Sequence, residues 1–467
     1  MQVELNVAAL CAVIHVMSTP SKLRARIPLY TLLIAVYGFM FFRGPLVEYN
    51  YPLVWLRSAK PVQPTVVFLV LDTVRADRTS MCGHDRPTTP FLEELAGKSG
   101  SSFTCNAYSP SSWTLPSHAS FFTGLEVPEH GAHRHGEQIG DLPDKATTLA
   151  ERFAKRGYQT VAISGNPGLQ PDSGVMQGFD IVSTLKPVDW SVTVHLTRAL
   201  GMEVDVDKPL FVFVNIADAH DPWEAVPPGL DWVPPTRELG WELCSDDCET
   251  REFLTGAMGE DERAQYLTDL NNAYDYGVHL ADNRTREVLG TLERFGWLSN
   301  DYRMVITSDH GELLGEHDTI YHGQSLYEPV TRVPLLYHDT TQVVPLPEVS
   351  SALIAHDLLL DGMLTDLPIE SYSYKDPVWM EYANQANLPN WVSVWDGQTK
   401  ATWRDGTAHQ FDLRTDHGEQ HSSPVTDARV EAKLQPAIYK LQQSLGQSVQ
   451  PIGDSTVEAL IALGYIE

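Results

Sequence analysis

The sequence predicts an α/β fold: a doubly wound, mostly parallel sheet flanked by helices, with a small C-terminal antiparallel sheet and an N-terminal membrane helix. Three observations lead there. Val66 to Leu71 (VVFLVL) and Pro209 to Ile216 (PLFVFVNI) are continuous apolar runs, as expected of strands buried on both faces of a parallel sheet. Segments of helical period alternate with such runs up to about Leu360. From Tyr372 the pattern changes to short runs broken by Asp396-Gly397 and Asp405-Gly406, the turn chemistry of antiparallel hairpins. The boundaries read from these changes are 1–60 for an anchor and linker, 61–370 for the main domain and 371–467 for a C-terminal α+β subdomain.

Ile27 to Phe42 is almost unbroken apolar sequence after Lys22, Arg24 and Arg26, and extension to Val47 reaches the roughly 20 residues a bilayer core requires. Basic residues ahead of such a run favour a cytoplasmic flank, so 27–47 is expected to anchor an exported domain at the cell membrane. Residues 1–16 form either a second helix or an upstream extension. A buried core helix is the alternative for 27–47, whereas a cleaved signal peptide lacks a small-x-small site after Phe42.

Beyond the linker, Val66 to Leu71 delivers Asp72 to a strand end, where open α/β sheets place their ligands. Thr89-Pro90 opens a helix running through Leu95, and Ser102 to Tyr108 forms a strand. Thr147 to Arg156 is a helix closed by Gly157, followed by the strand Thr160 to Ser164. Pro209 to Ile216 leads to Asp218, His220 and Asp221, and the Pro/Trp-rich stretch 222–241 is expected to wrap over the site. Asp261 to Phe295 has helical spacing, as one long helix or a broken pair. Arg303 to Thr307 is a strand that presents Ser308-Asp309-His310. In the C-terminal part, 378–382, 391–395, 399–403 and 408–413 read as strands, and a helix from about Asp427 to Leu445 packs on them with the segment 460–466.

The chain of 467 residues carries 61 acidic and 33 basic residues, a formal charge of −28, with 11 Lys beside 22 Arg. Phosphate-backbone affinity needs Lys/Arg clusters, and none stands out, so nucleic acid is excluded as a partner. The acidity fits either a halophilic source or an acidic extracellular enzyme. Five Cys are too few for a disulfide scaffold and none lies in a C-x-x-C pair. Cys82 with Cys105 and Cys244 with Cys248 could form local disulfides in an oxidising space, and free thiols are the alternative. Cys11 would be left over.

Asp72, Asp309 and His310, each expected at a strand end, supply two carboxylates and an imidazole. With the Thr114 hydroxyl they suit one divalent ion, Mn²⁺, Zn²⁺ or Mg²⁺. Calcium, which takes six to eight oxygens, is less expected at so small a ligand set. A cation is also what a Thr hydroxyl needs to become a nucleophile. Asp218-x-His220 has the wrong spacing for a second metal.

In order and spacing, LDTVRAD, RPTTPFLEELA, WTLPSHASFFTGL, HGAHRHG, ADAHDPW, SDHGELLGEH and LYEPVTRVPLL resemble the sulfatase family of the alkaline phosphatase superfamily, from about Val66 to Leu336. The resemblance implies an α/β fold of that type and an anionic ester substrate. It places His118, His220 and His322 around the transferred group, where they could hold anionic oxygens and protonate a leaving group. Sulfatases carry Cys or Ser in a C/S-x-P-S-R pattern and convert it to formylglycine; here Thr114 occupies that position and His118 replaces the Arg. Thr lacks the primary Cβ that becomes the aldehyde. The chain is therefore more similar to the Thr-nucleophile phosphodiesterases and the lipoteichoic acid and phosphoethanolamine transferases. The expected substrate is a phosphoryl ester on a surface lipid or glycan; the alternatives are a true sulfate ester hydrolase and an inactive surface-binding protein. Arg75 and Asp77 are expected to brace the first loop, Asn166 to line the pocket, and His130, His133 and His135 to form a structural turn. The sequon Asn283-Arg284-Thr285 falls within the expected helix.

Overall fold

The computed structural model describes residues 63–135, 138–185, 192–237, 239, 249–374, 390–445, 447 and 451–462. The expected membrane helix at 27–47, residues 1–16, Cys11, Cys244, Cys248, the expected strand at 378–382 and the tail 463–467 lie outside them. Among the described residues no helix is long and apolar enough to cross a membrane.

The main sheet is built from β1 (Thr65–Leu71), β2 (Ser101–Tyr108), β3 (Gln159–Ser164), β4 (Ile181–Thr184), β5 (Leu210–Ile216), β6 (Tyr302–Thr307), β7 (Arg332–Asp339) and β8 (Ser350–Ser351). Their order is β8-β2-β7-β6-β1-β5-β3-β4. Strands β6, β1, β5, β3 and β4 run parallel, and only β7 opposes both of its neighbours. Every residue of β1, β3 and β5 is buried, which is why these runs are continuously apolar rather than alternating. The sheet core centres on Phe68, which packs against Phe121, Phe122 and Phe213 at ring separations of 5.6 to 6.3 Å.

Helices α1 (Pro90–Ala96), α2 (Thr114–Thr123), α3 (Leu149–Lys155), α4 (Glu260–Arg294) and α5 (Ala355–Asp361) accompany the sheet. α3 starts with a reciprocal capping box between Thr148 and Glu151. α4 is one unbroken helix of 35 residues, and it contains the sequon, whose Thr285 is fully buried. Asp282 on α4 accepts from the Phe91 and Leu92 amides at 2.9 Å, capping α1 in place of a local residue. Cys82 and Cys105 are disulfide-bonded across a sequence separation of 23.

A five-stranded antiparallel sheet follows: β9 (Glu370–Ser373), β10 (Trp391–Asp396), β11 (Thr399–Arg404), β12 (Thr407–Asp412) and β13 (Ser423–Pro424). The helix α6 (Ala428–Ser444), capped by Asp427, lays Val430, Leu434, Ala437 and Leu441 on Tyr372, Val392, Val394 and Ala401. Helix α7 (Asp454–Ala462) follows it, its first turn held by the Asp172 carboxylate.

A buried charge cluster ties the two sheets. Lys400 Nζ lies 2.7 Å from Glu419 and 3.6 Å from Glu328, whose carboxylate also accepts from Tyr108 and Trp395 at 3.0 Å. One cation faces two carboxylates. Burial, and then Glu328, outweigh Lys400 and raise the Glu419 carboxyl to about 7. Its folded value stands above the unfolded one, so its contribution is present below the ordinary Glu range and is lost as pH rises through about 7. Glu419→Gln should match the wild type at pH 5 and exceed it by roughly 2 kcal/mol at pH 8.5. Thermal melting at the two values checks this; a variant less stable at pH 8.5 would mean that the Lys400 pair outweighs the burial.

Candidate active site

The predicted residues meet at the C-terminal edge of the parallel strands. Asp72 follows β1, Asn166 follows β3, Asn215 lies within β5, and Asp309 and His310 come two and three residues after β6. Asp72, Asp309 and His310 present ligand atoms all within 4.8 Å of one another, and all three are fully buried. Thr114, unlike the three ligands, does not follow a strand closely: it is the first residue of α2, after Trp113 in an extended conformation. Ser109 to Trp113 turn the chain from β2 into the helix, and Ser109 Oγ donates to the carbonyl of Asp309, fixing that turn to the ligand loop.

Thr114 Oγ1 is 3.4 Å from His310 Nε2 and 3.3 Å from Asn166 Nδ2. Because it opens a ten-residue helix, its hydroxyl also sits where amide dipoles favour negative charge. His310 Nδ1 donates to the Gly311 carbonyl at 3.0 Å, which turns the Nε2 lone pair toward Asp309 Oδ2 at 3.4 Å and Asp72 Oδ1 at 3.8 Å. Asp72 Oδ2 accepts from Asn166 and Asn215, each at 2.9 Å. Asp309 Oδ1 accepts from the amides of His310 and Thr73 at 3.0 and 3.3 Å. To reach it, Thr73 adopts a left-handed φ of 60°, held by its hydroxyl on the Ala219 carbonyl.

The other oxygen of each carboxylate, Asp72 Oδ1 and Asp309 Oδ2, is buried without a hydrogen bond. Two buried carboxylates side by side, each with one orphaned oxygen and a neutral imidazole between them, fit a divalent cation. Electrostatics agree. Burial and the Asp72 charge push the Asp309 carboxyl well up; burial opposes ionisation of Asp72, but His220, His310 and His118 hold its carboxyl below the usual range. Burial, reinforced by His322, keeps the His310 imidazole neutral, as a metal ligand must be.

Of the other predicted histidines, His220 and His322 face the cluster. The rings of His310 and His322 lie 4.3 Å apart, and those of His322 and His220 5.1 Å apart. Burial opposes charge on His220, yet Asp221 Oδ1 at 3.1 Å and the Asp72 charge raise it to about 10, so it is an imidazolium. His322 holds Nδ1 at 3.1 Å from both oxygens of Glu312 and is pushed down to about 3 by burial and by His220. His118 is placed differently. It sits one turn along α2, fully buried, with Nδ1 2.9 Å from the Thr114 carbonyl and 3.6 Å from Asp309 Oδ2, its ring among Phe121, Phe122 and Phe213. Burial lowers it to about 4. It forms the floor under Thr114 rather than the wall facing an ester.

Arg75 braces the first loop more widely than expected: it pairs with Asp77 and reaches the Glu312 carbonyl and Glu316 at 2.9 and 2.7 Å. His130 bonds Ser120 at 3.0 Å and His133 stacks on Tyr374, both structural roles. Sequence reasoning missed Asn215, Glu312 as the partner of His322, and Tyr274, whose hydroxyl donates to the Thr73 carbonyl at 2.6 Å. A lone Asn in an apolar strand was the available signal for Asn215.

Gly311 gives no room for a side chain: a Cβ there would press on the Pro329 carbonyl and the Arg75 side chain. Gly311→Ala should displace His310, lowering kcat on the order of 100-fold together with bound metal. Steady-state rates and metal content measured on one preparation check this, and unchanged values would show that the loop absorbs the methyl group.

The strand order, with candidate ligands at the strand ends, defines an open-sheet α/β fold. A family model described as Sulfatase matches residues 64–367, and the chain belongs to the sulfatase family. It is 22% identical to an arylsulfatase of Clostridium perfringens over 69% of this chain and 81% of that protein. It is 23% identical to the phosphatidylethanolamine transferase Mcr-1 of Escherichia coli over 67% of this chain and 55% of that one. Among solved structures, the phosphonate monoester hydrolase of Agrobacterium radiobacter superposes with a TM-score of 0.59 at 17% identity, covering 82% of this chain and 95% of that one. Family membership supports an ester hydrolase or transferase.

Proposed function

We propose that this protein is a metal-dependent enzyme that hydrolyses or transfers phosphoryl esters of a surface lipid or glycan, with Thr114 as nucleophile. The observation that carries the reading is the Thr114 hydroxyl at the N-terminus of α2, between His310 Nε2 and Asn166 Nδ2. No formylglycine can form from it. Held by Asp72, Asp309, His310 and Thr114, a divalent Mn, Zn or Mg ion would neutralise the carboxylates and lower the pKa of the hydroxyl.

In the first step Thr114 Oγ1, its proton lost to water, bonds to phosphorus as the bond from phosphorus to the leaving oxygen breaks. His220, charged and oriented by Asp221, gives that oxygen a proton. In the second step water or an acceptor alcohol bonds to phosphorus, the bond to Thr114 breaks, and neutral His322, oriented by Glu312, accepts the attacking proton. Asn166 and the α2 dipole stabilise the negative oxygens throughout. His118 keeps the floor dry and fixed.

Residues 61–370 are taken as the catalytic domain and 371–467 as a subdomain. The segment 27–47 is taken to anchor both at the outer face of the cell membrane. A true sulfate esterase is the rival reading, and a kinetic panel decides between them. With metal supplied, kcat/KM for bis(4-nitrophenyl) phosphate should exceed that for 4-nitrophenyl sulfate by about 100-fold, near 2.7 kcal/mol of transition-state preference. The reverse order would reject the phosphoryl assignment.

A further inference from the structure

A polar cleft of about 200 Å³ opens between the main sheet and the C-terminal sheet, lined by Asn106, Tyr108, Glu328, Arg332, Gln398 and His417 among others. Arg332, at the start of β7, is half-buried in it. Arg75, Arg156 and Arg237 each hold a carboxylate within 3 Å. By contrast, no carboxylate of a described residue lies within 4.0 Å of Arg332, and its guanidinium makes no hydrogen bond among them. Asp77, whose carboxyl Arg332 helps hold low, is already clasped by Arg75. Arg404, also half-buried without a carboxylate, stacks on Trp391, whereas Arg332 has neither kind of partner among the described residues.

The Gln398 amide and the His417 ring line the same cleft and are likewise without side-chain partners among the described residues. The one carboxylate on the wall, Glu328, has its oxygens taken by Tyr108, Trp395 and Lys400. What remains is a set of donors around a guanidinium, the chemistry that receives an oxyanion or carboxylate. We propose that this cleft binds one anionic group, a phosphate, sulfate or carboxylate, through Arg332, His417 and Gln398.

Its position bears on the source of that anion. Tyr108 precedes Ser109, which holds the Asp309 carbonyl, and Arg332 lies two residues beyond Val330, whose carbonyl binds the Gly311 amide. The cleft therefore shares the active-site edge of the sheet. β7 and β2 stand two and three strands from β1, about 10–15 Å at ordinary strand spacing. That is within reach of a second charge on a substrate seated at Thr114.

The test reads binding without turnover, in the full chain. Phenylglyoxal labelling of Arg332, followed by peptide mass mapping, should slow several-fold when inorganic phosphate replaces chloride at equal ionic strength. His417→Ala, an exposed position, should raise the phosphate concentration needed several-fold. Absence of slowing, or protection that the double variant His417→Ala/Gln398→Ala leaves unchanged, overturns the site. A further arm, which alone rests on the Thr114 reading, compares 1,6-hexanediol bisphosphate with hexyl phosphate. Protection by the bisphosphate at several-fold lower concentration assigns the cleft to the second charge of a substrate, and equal protection assigns it to a free anion.

Discussion

Replacing Thr114 with Ala is expected to lower kcat on the order of 10⁴-fold while leaving the fold and most substrate affinity in place, because the bond to phosphorus has no other oxygen from which to form. Thr114 is first in its helix, and Trp113, not Thr114, is the capping residue, so the loss of the hydroxyl does not unravel α2. Thr114→Ser keeps the oxygen between His310 and Asn166 and should stay within about tenfold of the wild type. The pair separates a nucleophile from a mere ligand. If Thr114→Ala kept substantial turnover while losing only metal, the attacking group would be a water and the covalent step would be wrong. Steady-state kinetics with saturating metal, beside metal content, reads both quantities.

The second large effect concerns charge. Asp72 and Asp309 are fully buried, and each leaves one oxygen without a hydrogen bond. Such a pair is repulsive unless a cation lies between its members. Chelation should therefore lower the melting temperature of the wild type, and restored Mn²⁺ or Zn²⁺ at about 100 times Kd should return roughly 2.7 kcal/mol. Asp309→Asn removes the carboxylate whose ionisation burial and the Asp72 charge already oppose. Its metal affinity should fall on the order of 100-fold or more, yet its metal-free form should melt at or above the metal-free wild type. Lower stability of metal-free Asp309→Asn would show that the carboxylate is held by protein donors rather than by an ion. Melting curves with and without chelator give the four values required.

The strands that carry the site were legible because a strand covered on both faces must be apolar at every position, as in β1 and β5. Strands β10, β11 and β12 were legible from the Asp-Gly turns between them and fall within a residue of expectation, whereas β9 and β13 were not expected. β7 was hidden: it carries Arg332 and Pro334, and no local signal distinguishes an antiparallel strand inside a parallel sheet from its neighbours. β4, at the sheet edge and only half-buried, lacks the apolar density of the others. The candidate ligand cluster was readable because Asp72, Asp309 and His310 follow apolar strands within three residues. The contacts that tune it were not. Asn215 was not expected at all, and although Asn166 was expected in the pocket and Arg75 as a brace, the contacts with Asp72 and Glu316 span 94, 143 and 241 residues and exist only once the sheet is assembled. His118 shows the opposite limit. Its place in the motif suggested contact with the ester, whereas helical spacing puts it one turn beneath Thr114.

The central claim is covalent phosphoryl transfer through Thr114, and rapid-quench mass spectrometry tests it most directly. Wild-type protein mixed with bis(4-nitrophenyl) phosphate and quenched during the burst should carry one aryl-phosphoryl group, mapped to Thr114 on the peptide that contains it and absent from Thr114→Ala. Turnover of that diester with an unmodified Thr114 throughout the burst, or with the adduct on another residue, would contradict the account.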